Sequence, residues 1–245
     1  MTRWHESRAR NTAYRAIIKS RVEAEKKFGP TLTLRHLLGR LNRSNLSWLA
    51  AVYGSDKGAA SHGYVDHYER YLTGLRSSAS RVLEIGIYRG ASLQMWRDFF
   101  PHAEVYGLDI KEIEVRGSRI HTLVGDQSDP ALLARLAELG PWDLIIDDGS
   151  HKQSHVLATF AGLYDSVAPG GYYVIEDMHT SYWPNGYEGG PPGMDGTSVS
   201  LIRGLLDGVN RRYAMRDYPD AANALTPVDE VHLFEKIAFL RKPKA

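Results

Sequence analysis

The sequence predicts an α/β protein: a doubly wound, mostly parallel sheet over 54–245, preceded by a helical, basic N-terminal extension over 1–53. Three observations carry this reading. From Arg81 onward, short apolar runs alternate with helical stretches, the rhythm of strands joined by crossover helices. Two of the runs, Leu144-Ile-Ile146 and Tyr172-Tyr-Val-Ile175, lack polar alternation, as strands covered on both faces do. Finally, residues 1–43 hold eleven Lys/Arg against Glu6, Glu23 and Glu25, a segment of +8 ahead of a remainder of −7.

The elements follow in order. Thr12–Lys27 has helical composition and stops at Gly29-Pro30. Residues 31–51 form a second helical stretch, interrupted near Asn42–Asn45. Gly54-Ser-Asp-Lys-Gly58 is a turn, and the aromatic and His-rich segment from Ser61 to Tyr71 leads into a helix. Arg81–Ile85 is the first strand, and residues 91–100 a helix facing inward with Leu93, Trp96, Phe99 and Phe100. Glu104–Asp109 and Ile120–Val124 are strands two and three. Asp129 caps the next helix with Pro130 in its first turn, and Gly140 closes it. Strand four ends at Asp147/Asp148, residues 155–167 form its crossover helix, and Pro169-Gly-Gly171 turns into strand five. Residues 180–197, rich in Gly and Pro, are loop; an irregular segment of that length tends to be functional. Residues 230–241 read as one antiparallel edge strand.

Composition excludes several classes. With no cysteine there is no disulfide and no thiolate metal site. No apolar run approaches the roughly 20 residues that span a bilayer, and the first residues lack a secretory apolar region, so a cytoplasmic protein is expected. The basic arm has no interleaved aromatic stripe. It reads as a solvated helix packing on the acidic body or on a second subunit rather than as a nucleic-acid contact.

The chemistry lies at the strand ends. Asp147-Asp148-Gly-Ser-His151 and Glu176-Asp177-Met-His179 each follow an apolar run, so they meet in the crevice outside the carboxyl ends of the strands. Carboxylates crowded there repel, and a hard divalent cation with oxygen ligands relieves them. Glu84-Ile-Gly86-Ile-Tyr-Arg-Gly90 occupies the first strand-to-helix turn, where glycines let a ligand approach the backbone. Glu84 stands in place of the first glycine of a dinucleotide fingerprint; it suits an amino-acid ammonium better than a pyrophosphate. Asp109 is placed for ribose hydroxyls, and Asp126 and Gln127 for an adenine amine.

These features resemble the class I S-adenosylmethionine-dependent methyltransferases. The 54–68 segment with His62, Tyr64 and Tyr68, then Asp147–His151, then Glu176–Trp183, looks like the metal-dependent sugar O-methyltransferases among them. The likeness covers about residues 50–185; the macrolide enzymes have a larger N-terminal domain than the roughly 50 basic residues found here. The resemblance implies S-adenosylmethionine and Mg²⁺ as cofactors, with the ion held by Asp148, Glu176 and Asp177 and His151 as general base. It also implies that His62, Tyr64 and Tyr68 help close the cofactor site beside Glu84, Gly86, Gly90, Asp109, Asp126 and Gln127.

The expected reaction is methyl transfer to a sugar hydroxyl, with Asp148 and His151 catalytic and the metal gathering two adjacent sugar oxygens. Asp147, on the opposite pleat from Asp148, faces the cofactor or caps the next helix. His179 is a rival base or an acceptor contact, with Tyr182 and Trp183 beside it. A small molecule or oligosaccharide is the expected partner, with no nucleic acid, no membrane, and a homo-oligomeric assembly. An aromatic diol in place of the sugar, or a non-catalytic S-adenosylmethionine-binding scaffold, are the competing readings.

Overall fold

A computed structural model describes residues 32–244. The helix expected at Thr12–Lys27 and most of the basic arm lie outside them. The chain divides into two compact units, 1–42 and 43–245. In the first, α1 is Leu32–Leu41; in the second, α2 (Leu46–Tyr53) groups with the sheet, on the other side of the division from the extension in which the sequence put it. The interruption at 42–45 is where Asn45 caps α2, its side chain accepting from Trp48 N at 2.6 Å. Gly54, at φ +74°, ends α2 in the left-handed conformation that residues with a Cβ avoid.

The sheet has seven strands in the order β3-β2-β1-β4-β5-β7-β6. These are β1 (Arg81–Ile85), β2 (Glu104–Asp109), β3 (Ile120–Val124), β4 (Trp142–Asp147), β5 (Val167–Ile175), β6 (Glu230–Phe234) and β7 (Ile237–Arg241). The first five pair in parallel, and β7 runs antiparallel to β5. This is a doubly wound, Rossmann-like sheet with an antiparallel hairpin at one edge. The strand order reverses between β1 and β4, which puts the ends of those strands at the crevice.

Two apolar layers cover the sheet. On one face, α2, α3 (Val65–Leu72) and α4 (Ala91–Phe99) pack Leu49, Tyr68, Leu93, Trp96 and Phe99 against Val82, Val105, Ile146 and Phe239. On the other, α5 (Pro130–Glu138), α6 (Gln153–Leu163) and α7 (Ser198–Val209) bring Leu133, Leu136, Phe160, Leu163 and Ile202 onto Leu83, Ile145 and Tyr173. Two short helices, α8 (Arg211–Asp217) and α9 (Pro219–Asn223), complete the return to β6. Sandwiched on both sides, α4 buries every residue from Ser92 to Phe99. Its polar members are paired: Arg97 donates to Asp98 and to the Tyr53 hydroxyl, and Tyr53 in turn donates to Asp98.

Two expectations change. The β2–β3 connection, 110–119, has no helix, because its apolar residues Ile113 and Val115 pack onto the α4 layer as extended chain. The single C-terminal strand is a hairpin: Glu235-Lys236 turns it, with Lys236 at φ +74°, and β7 rather than β6 meets β5. Glu235-Lys236 carries none of the glycine or proline that marks a turn in sequence. Among the described residues no helix is long and apolar enough to cross a membrane.

Candidate active site

Glu84, last but one in β1, is fully buried, its Oε2 accepting from Ser92 Oγ at 2.6 Å. Gly86 follows at φ +96°, so close to the next strand that a Cβ there would sit 2.0 Å from the Asp148 carbonyl oxygen. Only glycine allows this approach. Gly90, at φ +77°, faces the Val115 side chain in the same way. Asp109, at the end of β2, braces the turn: its Oδ2 accepts from the amides of Ile87 and Tyr88 at 3.0 and 3.1 Å.

After β3, Asp126 and Gln127 part company. Asp126 is exposed and accepts from Ser128 within its own turn. Gln127 turns inward, where its Nε2 donates to Asp147 Oδ1 and Thr159 Oγ1, both at 3.1 Å, and its Oε1 accepts from Ser150 N at 2.7 Å. Gln127 thereby fixes the loop that carries His151. Asp147 lies 1% exposed, and burial pushes its carboxyl up to about 7. Its Oδ2 has no hydrogen-bond partner among the described residues.

Asp148, Glu176 and Asp177 gather on the other side of the turn, joined by a residue outside the predicted set. The Lys57 ammonium, 1% exposed, donates to Asp148 Oδ2 at 2.6 Å and Glu176 Oε1 at 2.7 Å, and lies 3.2 Å from Glu84 Oε1. Burial opposes its charge, yet the three carboxylates hold its pKa well above the ordinary lysine value. Burial likewise raises the pKa values of Asp148 and Glu176, against the pull of Lys57. The cluster thus carries its own internal cation, so the repulsion inferred from sequence is already partly relieved. In sequence the one distinguishing mark of Lys57 is its place in the Gly54–Gly58 turn, just ahead of Tyr64 and Tyr68.

Both tyrosines meet the acids. Tyr64 donates to Asp177 Oδ1 at 2.6 Å, and Tyr68 to Glu176 Oε1. Asp177 is a hub for imidazoles as well. His151 Nε2 lies 3.7 Å from its Oδ2, and His62 Nδ1 and His179 Nδ1 lie 3.8 and 4.0 Å from its Oδ1. Burial tends to raise the Asp177 pKa, but His151, the Tyr64 hydrogen bond and the other imidazoles outweigh it and bring the value down. Asp177 and His151 adopt φ of +53° and +57°, a strained conformation for residues with a Cβ, of the kind that concentrates at functional sites.

Ligand atoms from Asp148, His151 and Asp177 lie within 4.8 Å of one another, all on half-buried side chains. Of the expected metal residues, Asp148 and Asp177 therefore converge together with His151, while Glu176 gives one oxygen to Lys57 and Tyr68. Four carboxylates against one ammonium leave negative charge in excess, and an oxygen-rich set of this kind fits a hard divalent ion.

The expected acceptor residues lie at the start of the 180–197 loop. His179 packs edge-on against Trp183 at 4.5 Å between ring centres, and Trp183 against Tyr187 at 5.4 Å; Tyr182 is exposed. Burial lowers the His179 pKa. The loop is anchored: Gln153, 1% exposed, accepts from Ser181 Oγ and Ser198 N and donates to the Thr180 hydroxyl and the His151 carbonyl.

Residues 83–178 match a family described as "Methyltransferase domain". The chain is 39% identical over 212 residues to mycinamicin VI 2''-O-methyltransferase of Micromonospora griseorubida, covering 82% of this chain and 53% of that protein. It is 40% identical over 207 residues to 8-demethyl-8-alpha-L-rhamnosyl tetracenomycin-C 2'-O-methyltransferase of Streptomyces olivaceus, covering 80% and 54%. A solved structure of the MycE methyltransferase of the mycinamycin biosynthetic pathway, in complex with Mg, SAH and mycinamycin VI, superposes with a TM-score of 0.75 at 39% identity, covering 82% of this chain and 54% of that one. The chain spans about half the length of the curated relatives it matches.

Proposed function

The chain belongs, through residues 83–178, to the class I S-adenosylmethionine-dependent methyltransferases, and on that footing we propose that it is an Mg²⁺-dependent sugar O-methyltransferase. The acceptor is a hydroxyl on an oligosaccharide or a glycosylated small molecule. One observation carries the reading: the Gly86 turn touches the backbone of Asp148, so the cofactor loop and the acid cluster are immediate neighbours.

S-adenosylmethionine supplies an electrophilic methyl group, and Mg²⁺ a Lewis acid that acidifies a sugar hydroxyl and aligns the oxygen beside it. Glu84 offers its carboxylate to the donor's ammonium, and Asp109 the lone pairs left over from the Ile87 and Tyr88 amides to the ribose. Asp148 and Asp177 would hold the ion, with Glu176 able to add its Oε2. His151 removes the acceptor proton at Nε2, and Asp177, 3.7 Å away, stabilises the imidazolium that results. His179, Tyr182 and Trp183 bound the acceptor, apolar ring faces suiting the C–H face of a sugar. Nucleic acid and membrane have no part in this reading, and the assembly is a homo-oligomer.

The test is methyl transfer from S-adenosylmethionine to a panel of glycosides, oligosaccharides and catechols, with and without excess chelator. Chelator and Asp148→Ala abolish turnover on sugars while S-adenosylhomocysteine still binds, and His151→Ala lowers kcat by about 10²–10⁴, the usual contribution of a general base. Full activity in chelator, or transfer confined to catechols, would refute the proposal.

A further inference from the structure

Lys57 has no place in the scheme above, yet its buried ammonium faces three carboxylates. It sits in the turn between α2 and α3, a segment knotted by its own backbone. Gly54 N and Ser55 N both donate to Ala50 O, His62 N to Asp56 O, and Val65 N to the Lys57 carbonyl at 3.1 Å. A Cβ on Gly58 would already press on Ala50 Cβ at 3.3 Å. The turn therefore delivers one side chain, in one direction, into the crevice.

There the ammonium divides the oxygens of the acids. It takes Asp148 Oδ2, leaving Oδ1 on the side of His151, whose Nε2 is 3.9 Å away. It takes Glu176 Oε1 jointly with Tyr68, leaving Oε2. It also approaches Glu84 Oε1, while Ser92 holds the other oxygen. A carboxylate with one oxygen anchored is held against rotation, and a metal site depends on such outer partners to aim its ligands.

We infer that Lys57 is a positioning residue for the metal site: by anchoring one oxygen each of Asp148 and Glu176, it presents the other to a divalent cation. This rests on the reading of the cluster as a metal site. The inference has a sign that separates it from simple charge balance. If the ammonium served only as counter-ion, its removal would tighten a divalent cation by lifting a repulsion. If it positions the ligands, its removal loosens the cation.

The experiment titrates Mn²⁺ into the full chain without cofactor, read by the electron paramagnetic resonance of free Mn²⁺, for wild type, Lys57→Met and Lys57→Gln. Methionine keeps the length of the side chain, and glutamine keeps a donor without charge. Each variant is first checked by thermal melting and S-adenosylhomocysteine affinity. Lys57→Met is expected to weaken Mn²⁺ at least tenfold, with S-adenosylhomocysteine affinity within about threefold of wild type. Lys57→Gln, which can still donate to one carboxylate, falls between.

Unchanged or tighter Mn²⁺ binding in Lys57→Met overturns the inference. Should that variant not fold, Lys57→Gln is judged by the same criterion. Failure of both to fold assigns Lys57 to stability and overturns it too. A wild type that binds no Mn²⁺ refutes instead the metal reading beneath it.

Discussion

Tyr64 donates its hydroxyl to Asp177 Oδ1 at 2.6 Å, tying the start of α3 to the end of β5. The contact leaves Asp177 Oδ2 on the side of His151 Nε2. Burial and the neighbouring Asp177 charge raise the tyrosine's own pKa far above its usual value, so it stays a donor throughout the physiological range.

Removing this donor frees Asp177 to turn. A hydrogen bond to a charged group contributes about 1.5–3 kcal/mol. Tyr64→Phe is therefore expected to raise the Mg²⁺ concentration for half-maximal methyl transfer about tenfold or more. An unaltered Mg²⁺ requirement would separate Tyr64 from the metal.

At Gly86 one added methyl group meets both strain and a clash. Gly86→Ala adds a left-handed backbone strain of about 1–2 kcal/mol. It also forces a Cβ to within 2.0 Å of the Asp148 carbonyl oxygen unless one strand end moves. The variant should melt well below wild type and lose S-adenosylhomocysteine binding by more than tenfold. Differential scanning fluorimetry with and without ligand reads both.

His67 stacks on Phe234 with ring centres 4.0 Å apart, outside the acid cluster, and burial lowers its pKa. Of the charges near it, Asp66 works against that shift and Arg70 adds to it. A histidine less basic when folded than when unfolded favours the folded state at high pH. Its contribution is complete above the ordinary value near 6.5 and is lost as the pH falls through the lower folded value. His67→Phe keeps the stack and removes the proton site. Its stability in urea should fall off less than that of wild type below pH 6.5, and parallel curves would contradict this.

Legibility in the sequence followed the range of the physics. The five parallel strands, the Asp129-Pro130 cap and the inward face of α4 rest on local spacing, and the structure has them in place. The β6–β7 turn was hidden because Glu235-Lys236 carries no glycine or proline, and Lys236 takes a positive φ that its residue type does not announce. In the site, the strand-end acids could be placed from topology alone. Lys57 could not be assigned, since its partners are distant in sequence and a lysine is ordinarily a solvated side chain. The inward turn of Gln127 was equally invisible: both it and Asp126 are polar, and only the packing of Thr159 and Asp147 chooses between them.

The hairpin bears on how the protein is made. Lys236 O accepts from Met178 N at 2.9 Å, just beyond Asp177, and β7 covers the edge of β5. During synthesis every acid of the cluster leaves the ribosome well before residues 236–241 do. Until those follow, β5 presents an open edge, the kind of surface that recruits chaperones or pairs with other chains. Substitutions in the β6–β7 turn should therefore show first as lost yield of folded protein.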